Sequence, residues 1–249
     1  MKRRIIAFDL DGTLAVTKSP MSDRMASLLR DLLNSFEVCV ISGGAFSQFK
    51  AQLVDRLDAG PELLSKLHIM PTSGTRYLRF EEAEWRVQYA EDLAADTKER
   101  IVAALSQCAK QLGYWETSPI GEIIEDRGSQ ITYSALGQLA PTDAKYAWDP
   151  DGRKKRALRD AVAARLPDYE VRTGGTTSID VTNTGIDKAY GLRRLMAITG
   201  ALASEILFFG DKLEDGGNDH AVIGTGIDCI AVSDPHDTAV AVEAIVKVT

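Results

Sequence analysis

The chain is poor in the residues that mark several classes of function. It has three cysteines in 249 residues, Cys39, Cys108 and Cys229. They are odd in number, far apart, and show no CxxC or Cys/His spacing, so neither a disulfide framework nor a zinc site is supported. The expectation is small buried hydrophobes in a reducing, cytoplasmic setting. The chain also lacks a basic surplus. Twenty-nine Lys and Arg stand against 36 Asp and Glu, for a net charge of -7. Phosphate backbones require clustered cations, so no nucleic-acid partner is expected, although a compact anion could still enter a locally basic pocket. No run of about 18 apolar residues exists, so no membrane span is expected. The opening "MKRRIIAFDLDGT" is positive but lacks the long apolar core and cleavage site of a signal peptide. Three tryptophans show no spacing that suggests a stacking platform, and core packing is their expected role.

What is present reads as an α/β protein. The apolar fraction is 45% and the charged fraction 26%, ordinary for a globular chain. Residues 4–8 read as a short buried strand, residues 21–36 carry Met25, Leu28, Leu29, Leu32 and Leu33 at helical spacing, and "EVCVIS" reads as a second, apolar strand. A helix over 46–57 and a strand at "LHIMPTSG" follow. This alternation implies parallel strands with crossover helices. Near Trp85 the character changes. An amphipathic helix with Ile101, Leu105, Cys108 and Leu112 precedes two strands around Arg127, Gly128 and Ser129, then a helix at "GRKKRALRD", then a hairpin-like pair at "YEVRTGGTTSIDVT". From Lys188 the first style resumes. The expected organisation is a core over 1–84 and 188–249, with an α+β domain inserted at 85–187. The "GRKKR" run reads as a solvated helix face.

The motif that demands explanation is "IIAFDLDGTLAV", residues 5–16. Asp9 and Asp11 sit one residue apart at the end of an apolar strand, where strand alternation would point both the same way. Their mutual repulsion calls for a positive partner. In a parallel sheet the crevice lies at the carboxyl ends of the strands, and Ser42, Asp211 and the helix opening at Lys188 stop at that same edge. Asp9 and Asp211 can bind a hard cation such as Mg²⁺, which favours oxygen ligands. Lys188 and the Ser42 hydroxyl can hold a phosphoryl group, with backbone N–H groups of Gly43 or Gly44 as further donors. A carboxylate facing phosphorus can be a nucleophile, and a second carboxyl two residues on can move the proton. His220 and His236 read as surface or helix-start residues, and His68 as structural.

"DLDGTL", "ISGG", Lys188 and "GDK" resemble the four motifs of the haloacid dehalogenase superfamily of Mg²⁺-dependent phosphotransferases. The insert resembles that superfamily's type IIB cap. More narrowly, "DRGSQITYSALGQ", "RTGGTTSIDVTNTGIDK" and "ILFFGDKLEDGGNDH" resemble the eukaryotic-type phosphomannomutases. The resemblance implies a Rossmann-like core and an aspartyl-phosphate on Asp9. Asp11 would be the general acid/base, lending its backbone carbonyl to Mg²⁺. Asp211 would be the third protein ligand, with Asn218 and Asp219 nearby. Ser42 and Lys188 would hold the phosphoryl group, and Arg127, Ser178 and Asp180 would contact a sugar phosphate. A homodimer through the cap is a further expectation from the resemblance.

Departures from the family bear on the reaction. Those mutases grip a distal phosphate with several arginines. Arg127 matches one, two fall on Lys18 and Lys145, and a third on Gln138. Lysine keeps the charge but not the bidentate fork, and Gln138 loses the charge. The loop "AVIGTGID" matches the family's further cation site poorly. A mutase must hold the acceptor sugar and exclude water, with cap closure drying the site. The weakened grip tilts the sequence reading toward a sugar-phosphate phosphatase, with phosphomannomutase as the alternative and a non-catalytic sugar-phosphate sensor as a remote third.

Overall fold

The structure, a computed structural model, describes residues 3–249. In chain order its strands are β1 (Ile5–Phe8), β2 (Glu37–Ile41), β3 (Leu67–Met70), β4 (Arg76–Glu81), β5 (Glu84–Ala90), β6 (Ile124–Asp126), β7 (Gln130–Ser134), β8 (Tyr169–Thr173), β9 (Ser178–Asn183), β10 (Ile206–Gly210) and β11 (Asp228–Ala231). They form two sheets in two compact units. One unit takes the described residues to Ala90 together with Asp187–Thr249, and the other takes Glu91–Ile186.

The first unit holds a seven-stranded sheet of order β11-β10-β1-β2-β3-β4-β5. The first five of these run parallel, and β4 and β5 are antiparallel additions. Both faces are covered, which explains why β1 and, past its opening Glu37, β2 are apolar rather than alternating. Ile6, Phe8, Val38 and Val40 face one cluster with Leu29, Leu32 and Leu33 of the helix Asp23–Ser35. Ile5, Ala7, Cys39 and Ile41 face the other, with Leu192 and Leu195 of the helix Lys188–Thr199. These two helices each start on a side-chain cap: Ser22 Oγ accepts from Met25 N–H at 3.2 Å, and Asp187 Oδ1 from Tyr190 N–H at 2.7 Å.

The β4–β5 hairpin is absent from the sequence reading, and the unit break lies after Ala90, beyond Trp85. Its connecting pair, Glu82 and Ala83, both have positive φ, 50° and 64°. A two-residue hairpin turn of this kind normally announces itself with Asn or Gly, and neither is present. Trp85 therefore packs in the first unit, against Phe46 and Phe80. His68, in β3, is 2% exposed. Its Nε2 lies 2.8 Å from Glu37 Oε2 and its Nδ1 2.8 Å from the Tyr77 hydroxyl. A neutral ring donating to Glu37 and accepting from Tyr77 satisfies both partners. Burial holds His68 below its ordinary value. The hydrogen bond from His68 leads in pulling Glu37 down to about 2.

The second unit is an antiparallel sheet of order β6-β7-β9-β8. Its apolar face, Ile131, Tyr133, Ile179, Val181 and Val171, packs with the helices Ala95–Gln111 and Arg153–Arg165. Its other face is polar: Thr132 stands opposite Asp180, and Ser134 opposite Ser178. A short helix, Thr142–Trp148, was not marked by the sequence. Cys39, Cys108 and Cys229 are free thiols; the first two are buried and the third is partly so. Among the described residues no helix is long and apolar enough to cross a membrane.

Candidate active site

Three strands end and one helix begins at the carboxyl edge of the large sheet. β1 stops at Phe8, and Asp9 N–H still donates to Phe209 O of β10 at 2.9 Å. Asp211 lies one residue past β10, and Ser42 one residue past β2. Lys188 opens its helix directly after the Asp187 cap. A glycine one turn on brings that helix close to the sheet. A Cβ at Gly191 would lie 2.4 Å from Ile41 Cδ1 and 2.7 Å from Ser73 O.

The approach puts the Lys188 ammonium between carboxylates. Its Nζ is 2.6 Å from Asp9 Oδ1 and also bonds Asp219 Oδ1. Lys188 and Asp9 are each 2% exposed and Asp219 0%. The other Asp219 oxygen accepts Lys212 N–H at 3.0 Å. Asp9, Asp211 and Asp219 each offer an oxygen within 4.8 Å of the others. Burial alone would lower Lys188, but Asp9 and Asp219 outweigh it and hold the ammonium above its ordinary value. Burial raises Asp9 most. Lys188 counters it, but Asp219 and Asp211 add to it, and Asp9 is pushed up to about 8. Burial likewise raises Asp211. Three carboxylates around one buried ammonium are short of positive charge.

Gly12 completes this corner. Its φ is +85°, and a Cβ there would fall 2.5 Å from Asp211 Oδ2. A side chain is thus excluded by backbone conformation and by the carboxylate.

Asp11 lies elsewhere than strand alternation implied. The strand ends at Phe8, so the period of two no longer applies at residue 11. Its carboxylate accepts from Lys18 N–H at 2.8 Å, Gln48 Nε2 at 2.6 Å and Gln52 Nε2 at 3.1 Å. It is not one of the three grouped carboxylates. Asp219 is, a residue the sequence placed only nearby; it sits in an irregular loop, where no periodicity signals direction. Ser42 is buried, and its hydroxyl accepts Gly44 N–H at 3.3 Å. Gly43 follows it in the same loop. Lys18 is exposed with φ 55°.

The remaining sequence-marked residues lie in the second unit. Arg127 donates from Nε and an Nη to Glu125 at 2.8 and 2.7 Å. Asp180 Oδ1 accepts from the Thr132 hydroxyl at 2.7 Å, and Ser178 shares its strand face. Lys145 is buried, with Nζ donating to Gln138 O at 2.7 Å. Two of the positions that depart from the family pattern therefore touch each other.

A largely parallel sheet with an acidic cluster, a serine and a helix-borne lysine at its carboxyl edge, interrupted by an α+β insert, defines a phosphotransfer enzyme of the haloacid dehalogenase superfamily. A solved haloacid dehalogenase-like hydrolase from Bacteroides thetaiotaomicron superposes with TM-score 0.67 at 18% identity, covering 98% of this chain and 100% of that one, and so supports the fold. The family model described as "Eukaryotic phosphomannomutase" matches residues 25–248, and the chain belongs to that family. A probable phosphomannomutase of Caenorhabditis elegans is 28% identical over 258 residues, covering 98% of this chain and 96% of the relative. The phosphomannomutase of Encephalitozoon cuniculi is 25% identical, covering 95% and 91%. These relatives favour the mutase alternative over the phosphatase to which the missing arginines had tilted the sequence reading.

Proposed function

We propose that the protein is a phosphomannomutase, moving a phosphoryl group between the 6- and 1-hydroxyls of mannose through an aspartyl-phosphate on Asp9. The observation that carries this reading is the buried Asp9–Lys188–Asp219 arrangement in a chain matched to that family over residues 25–248. Asp9 Oδ attacks phosphorus as the bond to the sugar oxygen breaks. The Lys188 ammonium and the Ser42 hydroxyl hold the phosphoryl oxygens, with Gly43 N–H as a further donor. Asp11 protonates the departing sugar oxygen and, in the second half, removes the proton of the hydroxyl that accepts the group. Arg127, Lys18 and Lys145 supply positive charge for the distal phosphate, and Ser178 and Asp180 bind sugar hydroxyls.

The cofactor in this reading is Mg²⁺. The fit is chemical: the cluster offers only carboxylate oxygens, hard donors suited to this ion, and its excess negative charge leaves Asp9 raised. Asp9 and Asp211, with the backbone carbonyl of Asp11, would hold the ion, which supplies charge neutralisation on the transferring group.

One observation favours hydrolysis as a second reading. The Lys145 ammonium is buried and already donates to the Gln138 carbonyl, which reduces what it can give a distal phosphate. A chase experiment separates the two. The protein is charged with limiting labelled glucose 1,6-bisphosphate, then mixed with mannose 6-phosphate. Label recovered in mannose 1,6-bisphosphate supports the mutase; label released as inorganic phosphate despite the sugar phosphate contradicts it.

A further inference from the structure

The Asp11 carboxylate is held by more than its position in the motif requires. Its Oδ1 accepts two bonds, from Lys18 N–H at 2.8 Å and Gln52 Nε2 at 3.1 Å. Its Oδ2 accepts one, from Gln48 Nε2 at 2.6 Å. Both glutamines come from the helix that follows the Ser42 loop. That helix runs Phe46–Phe49, widens to π geometry over Lys50–Val54, and closes with Asp55–Leu57. Isolated π turns inside helices are frequent at functional sites.

Two features suggest that the arrangement serves something other than stability. Gln52 is 2% exposed, and its Nε2 is shared between Asp11 and Ser19 O at 3.0 Å. The amide orientation follows from those acceptors, since a flip would set an oxygen against a carboxylate. Its Oε1 is then left buried without a partner, and an unmet buried acceptor is destabilising. The Gln48 amide lies where Gly44 leaves room for it: a Cβ at residue 44 would fall 2.4 Å from Gln48 Oε1. The loop that carries Ser42 and Gly43 thus also shapes the seat of Gln48.

We propose that Gln48 and Gln52 are positioning residues that clamp the Asp11 carboxylate, Gln52 fixing Oδ1 and Gln48 aiming Oδ2, the oxygen that carries the transferred proton. The inference rests on the reading of Asp11 as the acid/base. Oδ1 is filled by two N–H donors, whereas Oδ2 accepts one and keeps a lone pair for the proton. In the first half-reaction that proton passes from Oδ2 to the sugar oxygen as its bond to phosphorus breaks and the bond from Asp9 to phosphorus forms. In the second half it returns to Oδ2 from the accepting hydroxyl. Both glutamines act through Asp11, and neither needs to touch the substrate.

The test exploits the leaving group. A sugar alkoxide needs a proton to depart, and 4-nitrophenolate does not. Single-turnover phosphorylation of the full-length protein with Mg²⁺ is measured from glucose 1,6-bisphosphate and from 4-nitrophenyl phosphate. The variants are Gln48→Met, which keeps the length and removes the donor, Gln52→Ala, and Asp11→Asn as the reference. Gln48 is half-buried, so its variant is the one expected to fold without difficulty. The expected result for Gln48→Met is a fall of about 10- to 100-fold with the sugar ester, carried by the maximal rate and not by the half-saturating concentration. The ratio of sugar-ester to aryl-ester rates should drop at least about tenfold, in the direction that Asp11→Asn shows more strongly. Equal losses with both esters, or a loss confined to thermal stability, would mean a purely structural tether and overturn the inference. If Asp11→Asn itself shows no such selectivity, the acid/base reading fails, a result separate from any behaviour of the glutamine variants.

Discussion

Replacing Lys188 by methionine removes the buried ammonium from the Asp9, Asp211 and Asp219 carboxylates, with the exposed Lys212 still 3.5 Å from Asp211, while keeping most of the side-chain volume. The Nζ lies 2.6 Å from Asp9 Oδ1. At the effective dielectric constant suited to protein sites, one such pair is worth about 6 kcal/mol of gross attraction. The bond to Asp219 adds a second pair. Desolvation of the ammonium offsets much of this, and removal of one partner from a buried pair typically costs about 3–5 kcal/mol. That is the expected loss without metal at about pH 9.5, above the raised Asp9 value, where Asp9 is ionised, and below that of Lys188, which is still charged. At pH 5 the loss should be smaller, because Asp9, already raised to about 8 with the lysine in place, takes up a proton and one negative charge disappears. Calorimetry is the suitable assay, since two units need not unfold in one transition. A loss under about 1 kcal/mol at the higher pH, or the same loss at both pH values, would refute the reasoning.

Other outcomes follow from the same geometry. Asp9→Asn should abolish phosphoenzyme formation yet stabilise the metal-free protein as pH rises. Asp9 is raised, so its folded state favours the protonated form, and wild-type stability is lost between about pH 4 and pH 8 while the neutral amide loses none; a Tm gap that does not widen with pH would contradict this. Gly191→Ala places a methyl 2.7 Å from Ser73 O. It should push the Lys188 helix outward and lower phosphotransfer by about 100-fold, read as a fall in single-turnover rate with the fold retained by circular dichroism. Acid should destabilise the first unit in two stages. His68 is held neutral by burial, so stability falls once the pH drops below about 6.5, and the contribution of Glu37 is lost between its ordinary 4.5 and about 2. Denaturant midpoints across that range check it, and His68→Phe should remove the upper stage. Leu105→Ala, at a fully buried position in the second unit, should cost about 2–5 kcal/mol in urea unfolding.

The parts of this structure that were legible in the sequence are those where one periodicity holds over a whole element. The helix at 23–35 places Leu28, Leu29, Leu32 and Leu33 on one face, and β1, β2 and β10 are short runs covered on both faces. The edge carrying Asp9, Ser42, Lys188 and Asp211 followed from those ends. What failed to show depends on irregular backbone. The Glu82–Ala83 turn has positive φ without glycine or asparagine, so the hairpin it joins was silent. Asp11 lies beyond the strand, and its direction is set by Gln48, Gln52 and Lys18 N–H rather than by alternation. Asp219 meets Lys188 from a loop, 31 residues along the chain. On the acceptor, the relatives favour the mutase alternative over the phosphatase reading, which leans on Lys18, Lys145 and Gln138 rather than on motifs that span nearly the whole chain.

The most direct test of the central claim is phosphorus NMR of the purified protein with Mg²⁺ and mannose 6-phosphate, with and without a catalytic amount of glucose 1,6-bisphosphate. The account predicts mannose 1-phosphate that appears only when the bisphosphate is present. Inorganic phosphate as the sole product, with or without the bisphosphate, would contradict it and make water the acceptor.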